Sequence, residues 1–209
     1  MDVAIIGAGN VGTALAGSLT GGGHSVAITA TTREKAERVA QETGARAAGS
    51  NREAAEASEV VILAIPHDAV DAVIGELGAA LDGKVIVDTT NRVDSNDPGS
   101  VLDGTSVAER IKARVPAAHV AKAFNTVLAV HMTDPKVNGE QVDAFVAGDD
   151  GARPKVVGLA ESIGFRALDV GPLSVGRALE GMALINISLN MRNNWSWQTE
   201  WKLAGPTGG

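Results

Sequence analysis

The chain has no cysteine, and aromatic residues make up only 3% of its 209 residues. Without cysteine there is neither a disulfide framework nor thiolate chemistry, and zinc sites built on cysteine pairs are excluded. An excess of basic charge is also missing, since the formal net charge is -7. Nucleic-acid binding needs a clustered basic surface that neutralises phosphates, so we expect no nucleic-acid partner.

Long apolar runs are missing as well. No uninterrupted apolar stretch approaches the roughly 18 residues that a membrane crossing needs, so no membrane partner is expected. Met1 leads within one residue into the apolar run at 3–6, with no basic leader or cleavage site. This start predicts a strand at the N-terminus and a cytoplasmic location.

The chain does contain a regular alternation of short apolar runs and helical patterns, which is typical of an α/β protein. Strands are predicted at 3–6, 25–29, 60–65, 84–87, 119–124, 143–147 and 166–170. Helices are predicted from about residue 10 to Gly21, and at 33–43, 68–81, 106–113, 154–163 and 174–191. The continuous apolar run at 60–65 is expected of a parallel strand covered on both faces.

This order predicts a Rossmann fold, a doubly wound and mostly parallel sheet with a small C-terminal helical extension. Residues 1–170 are interpreted as a nucleotide-binding domain. Residues 171–209 are interpreted as a C-terminal helix and tail that contribute to a dimer interface and an acceptor pocket. The segment 91–105 lacks the alternating strand and helix patterns and is predicted to be a long loop.

A glycine-rich turn, Gly7-Ala8-Gly9-Asn10-Val11-Gly12, follows the first strand and opens the first helix. In such turns the first glycine permits a tight bend, the second lets the backbone approach a pyrophosphate, and the third allows close packing of helix and sheet. The helix then directs free N–H groups at the phosphates. Dinucleotide binding by Gly7, Gly9, Asn10, Val11 and Gly12 is the resulting prediction.

The residues after the second strand indicate whether the chain binds NAD or NADP(H). NAD-specific domains place a carboxylate there, whereas this chain continues as Thr31, Thr32, Arg33, Glu34 and Lys35. The two hydroxyls and the cations of Arg33 and Lys35 suit the extra phosphate of NADP(H). The plainer alternative is a helix cap at Thr31 followed by solvated basic residues.

Further motifs carry a family resemblance. They are the stretches AIIGAGNVG (4–12), TTREK (31–35), LAIP (63–66), VAKAFNT (120–126) and GPLS (171–174). On these stretches the chain resembles the deazaflavin (coenzyme F420)-dependent NADP oxidoreductase family over nearly its whole length. The resemblance implies NADP(H) bound across the strand ends and a hydride passed between nicotinamide and an apposed acceptor ring.

Two departures accompany the resemblance. The deazaflavin-reducing members tend to have histidine where this chain has Asn125, and a second arginine near Thr31. The family is also similar to the N-terminal domains of membrane ferric reductases, which use NADPH beside flavin and haem. A protein of that branch would need a separate electron acceptor.

Hydride transfer asks mainly for stacking, close approach and exclusion of water, so few catalytic side chains are needed. Ile65, Pro66 and His67 follow one strand, and Asn125 with Thr126 follows another on the same side, so we interpret these residues as the nicotinamide neighbourhood.

Asn125 and His67 are the catalytic candidates among these residues. Asn125 is expected to bond the carboxamide or a carbonyl of the acceptor, unless it only satisfies its own turn. His67 is a candidate phosphate donor or proton relay, unless it merely begins the next helix.

Other polar residues give weaker signals. Asp88 and Asp169 lie near strand ends, where a carboxylate acts as a general acid or satisfies loop backbone. The histidines show no metal-ligand spacing, so no metal is expected. The tail holds Trp195, Trp197 and Trp201, which are interpreted as an acceptor-pocket wall, a subunit interface or plain core burial.

The chain is therefore predicted to be an NADP-dependent oxidoreductase acting on a second redox cofactor or small acceptor. Coenzyme F420 comes first by resemblance, with a flavin as the other candidate. The alternatives are an NADP(H)-binding sensor without turnover and an NADPH-dependent flavin or ferric reductase. The apolar C-terminal helix predicts a homodimer.

Overall fold

The computed structural model describes residues 1–92 and 104–205 of the chain. Its strands are β1 Asp2–Ile6, β2 Ser25–Thr29, β3 Arg46–Ala47, β4 Val60–Leu63, β5 Val85–Asp88, β6 His119–Lys122, β7 Lys136–Val137, β8 Glu140–Gln141, β9 Asp143–Gly148 and β10 Arg166–Gly171. Its α-helices are α1 Asn10–Gly21, α2 Arg33–Thr43, α3 Asn51–Glu56, α4 Val70–Leu77, α5 Val107–Arg114, α6 Arg153–Ser162 and α7 Gly176–Asn193. Short 3-10 turns cover Gly78–Leu81, Ala129–His131 and Leu173–Val175.

One eight-stranded sheet organises the molecule, in the order β10-β9-β6-β5-β4-β1-β2-β3. The strands from β3 to β6 run parallel. Strand β9 pairs antiparallel with β6, and β10 pairs parallel with β9, so the last two strands reverse direction. The predicted Rossmann fold with a mostly parallel sheet is confirmed. The pair β7–β8 forms a separate small hairpin.

Both faces of the sheet are covered, which explains the continuous apolar runs. Along β1, Val3 and Ile5 belong to the core cluster that contains residues of α1, α2 and α6. The intervening Ala4 and Ile6 belong to the cluster that contains residues of α3, α4 and α5. Alternate residues of a strand point to opposite faces, so a strand between two helical layers must be apolar throughout.

Helix ends follow local capping chemistry. Thr32 accepts a hydrogen bond from the Lys35 amide at the start of α2, and Gly44 ends that helix in the left-handed conformation with φ of 74°. Ser106 and Glu109 form a reciprocal capping box at the start of α5. These caps account for the close agreement between predicted and observed ends of α2 and α5.

Several predicted boundaries are wrong. The strand predicted at 60–65 ends at Leu63, and the strand predicted at 119–124 ends at Lys122, before Phe124 adopts a left-handed φ of 62°. The helix predicted at 68–81 begins at Val70 and gives way at Gly78, with φ of 49°, to a 3-10 turn. The short elements β3, α3, β7 and β8 carry too few residues for a periodic signal and are absent from the prediction. Most of the predicted loop at 91–105 lies outside the described residues.

The C-terminal extension packs on the reversed end of the sheet. Leu179 of α7 is buried in a cluster with Phe145 and Ala147 of β9, and Trp201 packs against that cluster. The tail returns to the sheet, where the Leu203 amide donates to Asp143 Oδ2 at 2.7 Å. Among the described residues, none of the helices combines the length and apolar character that a bilayer crossing requires.

Candidate functional site

Two adjoining hollows lie at the carboxyl ends of β1, β4, β5 and β6. The first, which we call the outer cleft, has a volume of about 420 Å³ and is lined by Gly9, Asn10, Val11, Ala64, Ile65, Pro66, His67, Thr89, Thr90 and Asn91. The second, the inner cavity, has about 160 Å³ and is lined by Val11, Thr89, Asn91, Phe124, Asn125, Thr126, Val127, Leu128, Ala129, Ala183, Asn186 and Ile187. Shared walls at Val11, Thr89 and Asn91 make the two hollows neighbours.

The glycine-rich turn forms one wall of the outer cleft. Gly7 has φ of 109°, and a Cβ there would lie 2.3 Å from the carbonyl oxygen of Ala64. A Cβ on Gly12 would lie 1.9 Å from the carbonyl oxygen of Gly7. A Cβ on Gly9, by contrast, would meet nothing within 4 Å. The fold itself therefore requires glycine at positions 7 and 12, whereas at position 9 it leaves the space above the backbone open.

That open space lies at the start of α1. The N-cap Gly9 offers no side-chain hydrogen bond, and the first turn carries no acidic residue. The first helical amides have no acceptor within a helix, and the positive end of the helix dipole favours an anion there. These features fit the pyrophosphate of a dinucleotide.

Thr31, Thr32 and Arg33 line a third hollow, the β2 cleft, together with Ser50 and Asn51; its volume is about 280 Å³. Thr32 also caps α2, and the exposed Arg33 guanidinium pairs with Glu37 at 2.7 Å. The hydrogen bond that Arg33 donates to the Glu37 carboxylate raises the pKa of Arg33.

The structure separates Lys35 from Arg33. Lys35 lines a different hollow between α1 and α2, of about 760 Å³, together with Arg38.

The contribution of α3 to the β2 cleft was missed by sequence reasoning. Ser50 caps α3 by accepting from the Glu53 amide. Asn51 Oδ1 accepts from Thr29 Oγ1 at 2.7 Å, which ties the start of α3 to the end of β2. The Ser50-x-x-Glu53 spacing is the capping signal that could have revealed this helix.

Ile65, Pro66 and His67 line the outer cleft as a group, directly after β4. His67 is half-buried and makes no hydrogen bond within the described part of the chain. It lies in the turn before α4 rather than in the helix.

Asn125 lies in a turn after β6, closed by a hydrogen bond from the Val127 amide to the Phe124 carbonyl at 3.1 Å. Its Nδ2 donates to Asn91 Oδ1 at 2.8 Å and to the Leu179 carbonyl at 3.0 Å. The backbone carbonyl oxygen of Asn125 accepts a hydrogen bond from Asn91 Nδ2 at 2.8 Å. Since both amide hydrogens are used, Asn125 has only Oδ1 left for a ligand, and Oδ1 cannot donate to a carbonyl.

Beneath the outer cleft lies a buried ion cluster formed by Asp88, Lys122, Glu180 and Arg92. Lys122 is fully buried, and its Nζ lies 2.7 Å from Asp88 Oδ2, 2.7 Å from the Thr90 carbonyl oxygen and 3.0 Å from Glu180 Oε1. Glu180 Oε2 pairs with Arg92 Nε at 2.8 Å. Two of these contacts are hydrogen bonds donated by Lys122, and the third is an ion pair with Glu180, so two carboxylates and one carbonyl surround the ammonium group.

The cluster positions the strand-end backbone that lines the cleft. Asp88 Oδ1 accepts from the Thr90 amide at 2.9 Å while Lys122 donates to the Thr90 carbonyl, so Thr90 is held on both sides. Asp169 has a similar role, accepting from the Gly171 amide at 2.8 Å. Of the two expected uses of these aspartates, the structure shows the binding of loop backbone.

The C-terminal segment contributes to both the cluster and the inner cavity. Glu180 belongs to α7, and Ala183, Asn186 and Ile187 of that helix line the inner cavity. The tail also contacts the 3-10 turn Ala129–His131, where His131 Nε2 lies 2.9 Å from the Gln198 carbonyl oxygen.

The tryptophans differ in environment. Trp201 Nε1 donates to the Met182 carbonyl at 3.2 Å, whereas Trp195 and Trp197 are 44% and 45% exposed. Within residues 1–92 and 104–205, histidine and acidic side chains form no cluster of three or more that could hold a metal ion.

Comparisons with known proteins show which family the chain is similar to. Residues 2–92 match the family model described as NADP oxidoreductase coenzyme F420-dependent. An F420-dependent NADP reductase from Methanothermobacter marburgensis is 35% identical, covering 92% of this chain and 94% of that protein. A second, from Methanothermobacter thermautotrophicus, is 31% identical, covering 92% and 90%.

The chain belongs to the family of F420-dependent NADP reductases. A solved structure from Arthrobacter sp. FB24, described as an F420-dependent NADP reductase, has a TM-score of 0.88 with 27% identity and covers 98% of this chain and 100% of that one. The predicted family is thereby confirmed, and with it the class of enzyme, an NADP-dependent oxidoreductase.

Replacing Lys122 by Met tests the ion cluster. Asp88 would keep a buried charge without its cation, while Glu180 would keep only Arg92, and losing one member of a buried pair typically costs about 3–5 kcal/mol. We expect a loss of that size in the free energy of unfolding, measured in urea. The matched control is Lys155→Met, which breaks a half-exposed pair with Glu59 and should cost below ~1 kcal/mol. Equal stability of the two variants would contradict the cluster's role.

Replacing Gly9 by Ser tests the anion site. Serine is a good N-cap and Gly9 is already extended, with φ of -82°, so the melting temperature should hold or rise. The new hydroxyl would accept from the helix amides and compete with phosphate, so the Kd for NADPH should rise about tenfold, or ~1.4 kcal/mol. Calorimetry and fluorescence titration measure the two effects. A Gly9→Ser protein that binds NADPH as tightly as the wild type would refute the assignment.

Proposed function

We propose that this protein transfers a hydride between NADP(H) and coenzyme F420. The observation that carries the proposal is the likeness to F420-dependent NADP reductases over nearly the full length of both chains. Two neighbouring hollows at the strand ends offer room for the two partners of such a transfer. The relatives matched over nearly the full length of both chains are named F420-dependent NADP reductases, so a sensor without turnover and a flavin or ferric reductase are not favoured.

The nucleotide is proposed to lie across the strand ends with its pyrophosphate on the amides of Asn10, Val11 and Gly12. The open approach at Gly9 supports this placement. The 2′-phosphate is assigned to the β2 cleft, where Thr31 and Thr32 offer hydroxyls and Arg33 a guanidinium. Lys35 lines the neighbouring hollow, so we assign it a longer-range electrostatic contribution.

The nicotinamide end is assigned to the outer cleft, beside Ile65, Pro66 and His67. Bound NADPH supplies the hydride, and the chain's own residues bind, orient and exclude water. The apolar Val11 and Ile65 offer a dry wall, and the cluster around Lys122 fixes the opposite wall through Thr90. Asn125 completes the site from the inner cavity.

The segment 171–209 is proposed as the second part of the acceptor site, with residues 1–170 as the nucleotide-binding part. The lining of the inner cavity by Ala183, Asn186 and Ile187 supports this division of labour. The same helix exposes Ile185, Leu189 and Met191 to solvent. An apolar face of this kind supports the proposal that a second copy of the chain covers it in a homodimer.

The protein is further proposed to act in the cytoplasm on small-molecule partners rather than on nucleic acid. The net charge of -7 supports the second part of this proposal.

An anaerobic absorbance assay tests the proposed function. Purified protein is mixed with NADPH and one acceptor from a panel of F420, free flavin, ferric chelate and quinone, and the loss of NADPH is followed. We expect fast oxidation with F420 and rates near background with the others. Tight NADPH binding without oxidation by F420 would overturn the proposal.

The choice between NADPH and NADH is tested in the same assay. Arg33→Ala should raise KM for NADPH while leaving that for NADH nearly unchanged, because only NADPH carries the 2′-phosphate. Lys35→Ala is the matched control, with a smaller effect expected. Equal losses with both nucleotides in Arg33→Ala would contradict the assignment of the β2 cleft.

A further inference from the structure

Unpartnered buried oxygen atoms are concentrated at the two central hollows. In the described chain, seven buried side-chain polar atoms lack a hydrogen-bond partner. Three of them, Thr90 Oγ1, Asn125 Oδ1 and Thr126 Oγ1, belong to residues that line the outer cleft or the inner cavity. Native proteins leave few such groups, because each forfeits hydration without a replacement. Their concentration points to a ligand that supplies the missing partners.

One of these atoms, Asn125 Oδ1, determines which kind of ligand group can bind to it. The residue is 6% exposed, and both hydrogens of its Nδ2 are taken by Asn91 and the Leu179 carbonyl. This bonding fixes the orientation of the amide and leaves Oδ1 as an acceptor. The ligand group that pairs with it must therefore be a hydrogen-bond donor, and the N–H of an amide meets this requirement.

The Thr126 hydroxyl determines which kind of ligand group can bind beside the first one. It is 3% exposed and follows Asn125 in the same turn, so its side chain belongs to the same wall of the inner cavity. A hydroxyl donates as well as accepts, and rotation to another staggered χ1 rotamer moves its oxygen around Cβ. Next to the acceptor Asn125 Oδ1, the hydroxyl is suited to donate to a carbonyl.

We propose that Asn125 and Thr126 recognise the edge of a planar amide, with Asn125 Oδ1 accepting from its N–H and Thr126 Oγ1 donating to the neighbouring C=O. This inference rests on the proposed function, because such an edge occurs both in the carboxamide of nicotinamide and in the imide of a deazaflavin ring. The pair acts as a specificity determinant and holds the ring whose orientation decides hydride transfer.

Replacing Thr126 by Val separates this role from a structural one. Valine keeps the shape and removes an unpaired hydroxyl, so the melting temperature should stay the same or rise. Ligand binding should nevertheless weaken by about tenfold. Thr126→Ser keeps the hydroxyl and should restore binding. Thr20→Val is the matched control, because Thr20 Oγ1 is also buried and unpartnered but belongs to α1 and lines neither hollow.

Two binding measurements on Thr126→Val identify which ring carries the amide. A raised Kd for NADPH without acceptor assigns the carboxamide, and a raised KM for F420 at saturating NADPH assigns the deazaflavin imide. Either result supports the proposal. If neither constant changes, or if Thr126→Val lowers the melting temperature, the proposal is overturned.

A protein that does not use F420 as acceptor would give a different set of results. A wild-type protein that leaves F420 unreduced refutes the acceptor, while the NADPH titration and the melting temperature still test the amide site. In that case an unchanged Kd for NADPH in Thr126→Val overturns the amide site as well.

Discussion

The ammonium group of Lys122 lies where β5, β6 and α7 meet, fully withdrawn from water. Moving an ion into the protein interior costs several kcal/mol unless opposite charges and hydrogen bonds replace its hydration. Asp88 and Glu180 supply that replacement, and Arg92 balances the second carboxylate. The C-terminal helix therefore supplies one of the charges around Lys122, the residue that in turn holds the strand end at Thr90.

The contacts of Glu180 join the two parts of the chain on either side of residue 170. Glu180 bonds Lys122, Arg92 and the Val107 amide, so α7 is connected at once to β6, to the end of β5 and to the first turn of α5. The C-terminal helix follows the Rossmann unit in the sequence, and its Glu180 belongs to the same buried ion cluster as Asp88, Lys122 and Arg92. The inner cavity is lined by both parts, since the helix that balances the charges also contributes Ala183, Asn186 and Ile187 to its wall.

Much of the fold followed from periodicity, capping signals and glycine chemistry. The glycine turn, the strands beside it and the ends of α2 depend on neighbours close in sequence, and they were predicted well. Lys122, Arg92 and Glu180 gave no such signal, because their pairing joins residues as far apart as 92 and 180. Lys122 follows the apolar Val120 and Ala121 in its strand, and only the sheet register, which places Asp88 beside it, reveals the reason. The separation of Lys35 from Arg33 is likewise a result of helix geometry that composition does not disclose.

We propose that the hydride passes directly between NADP(H) and F420 in the hollows at the strand ends. The most direct measurement uses NADPH carrying deuterium at the transferable position of its nicotinamide, with mass spectrometry of the reduced acceptor. We expect one of the two labelled forms of NADPH to deliver its deuterium to F420, with no loss to solvent and with a slowed rate. Label that appears in water, with unlabelled reduced acceptor, would contradict it.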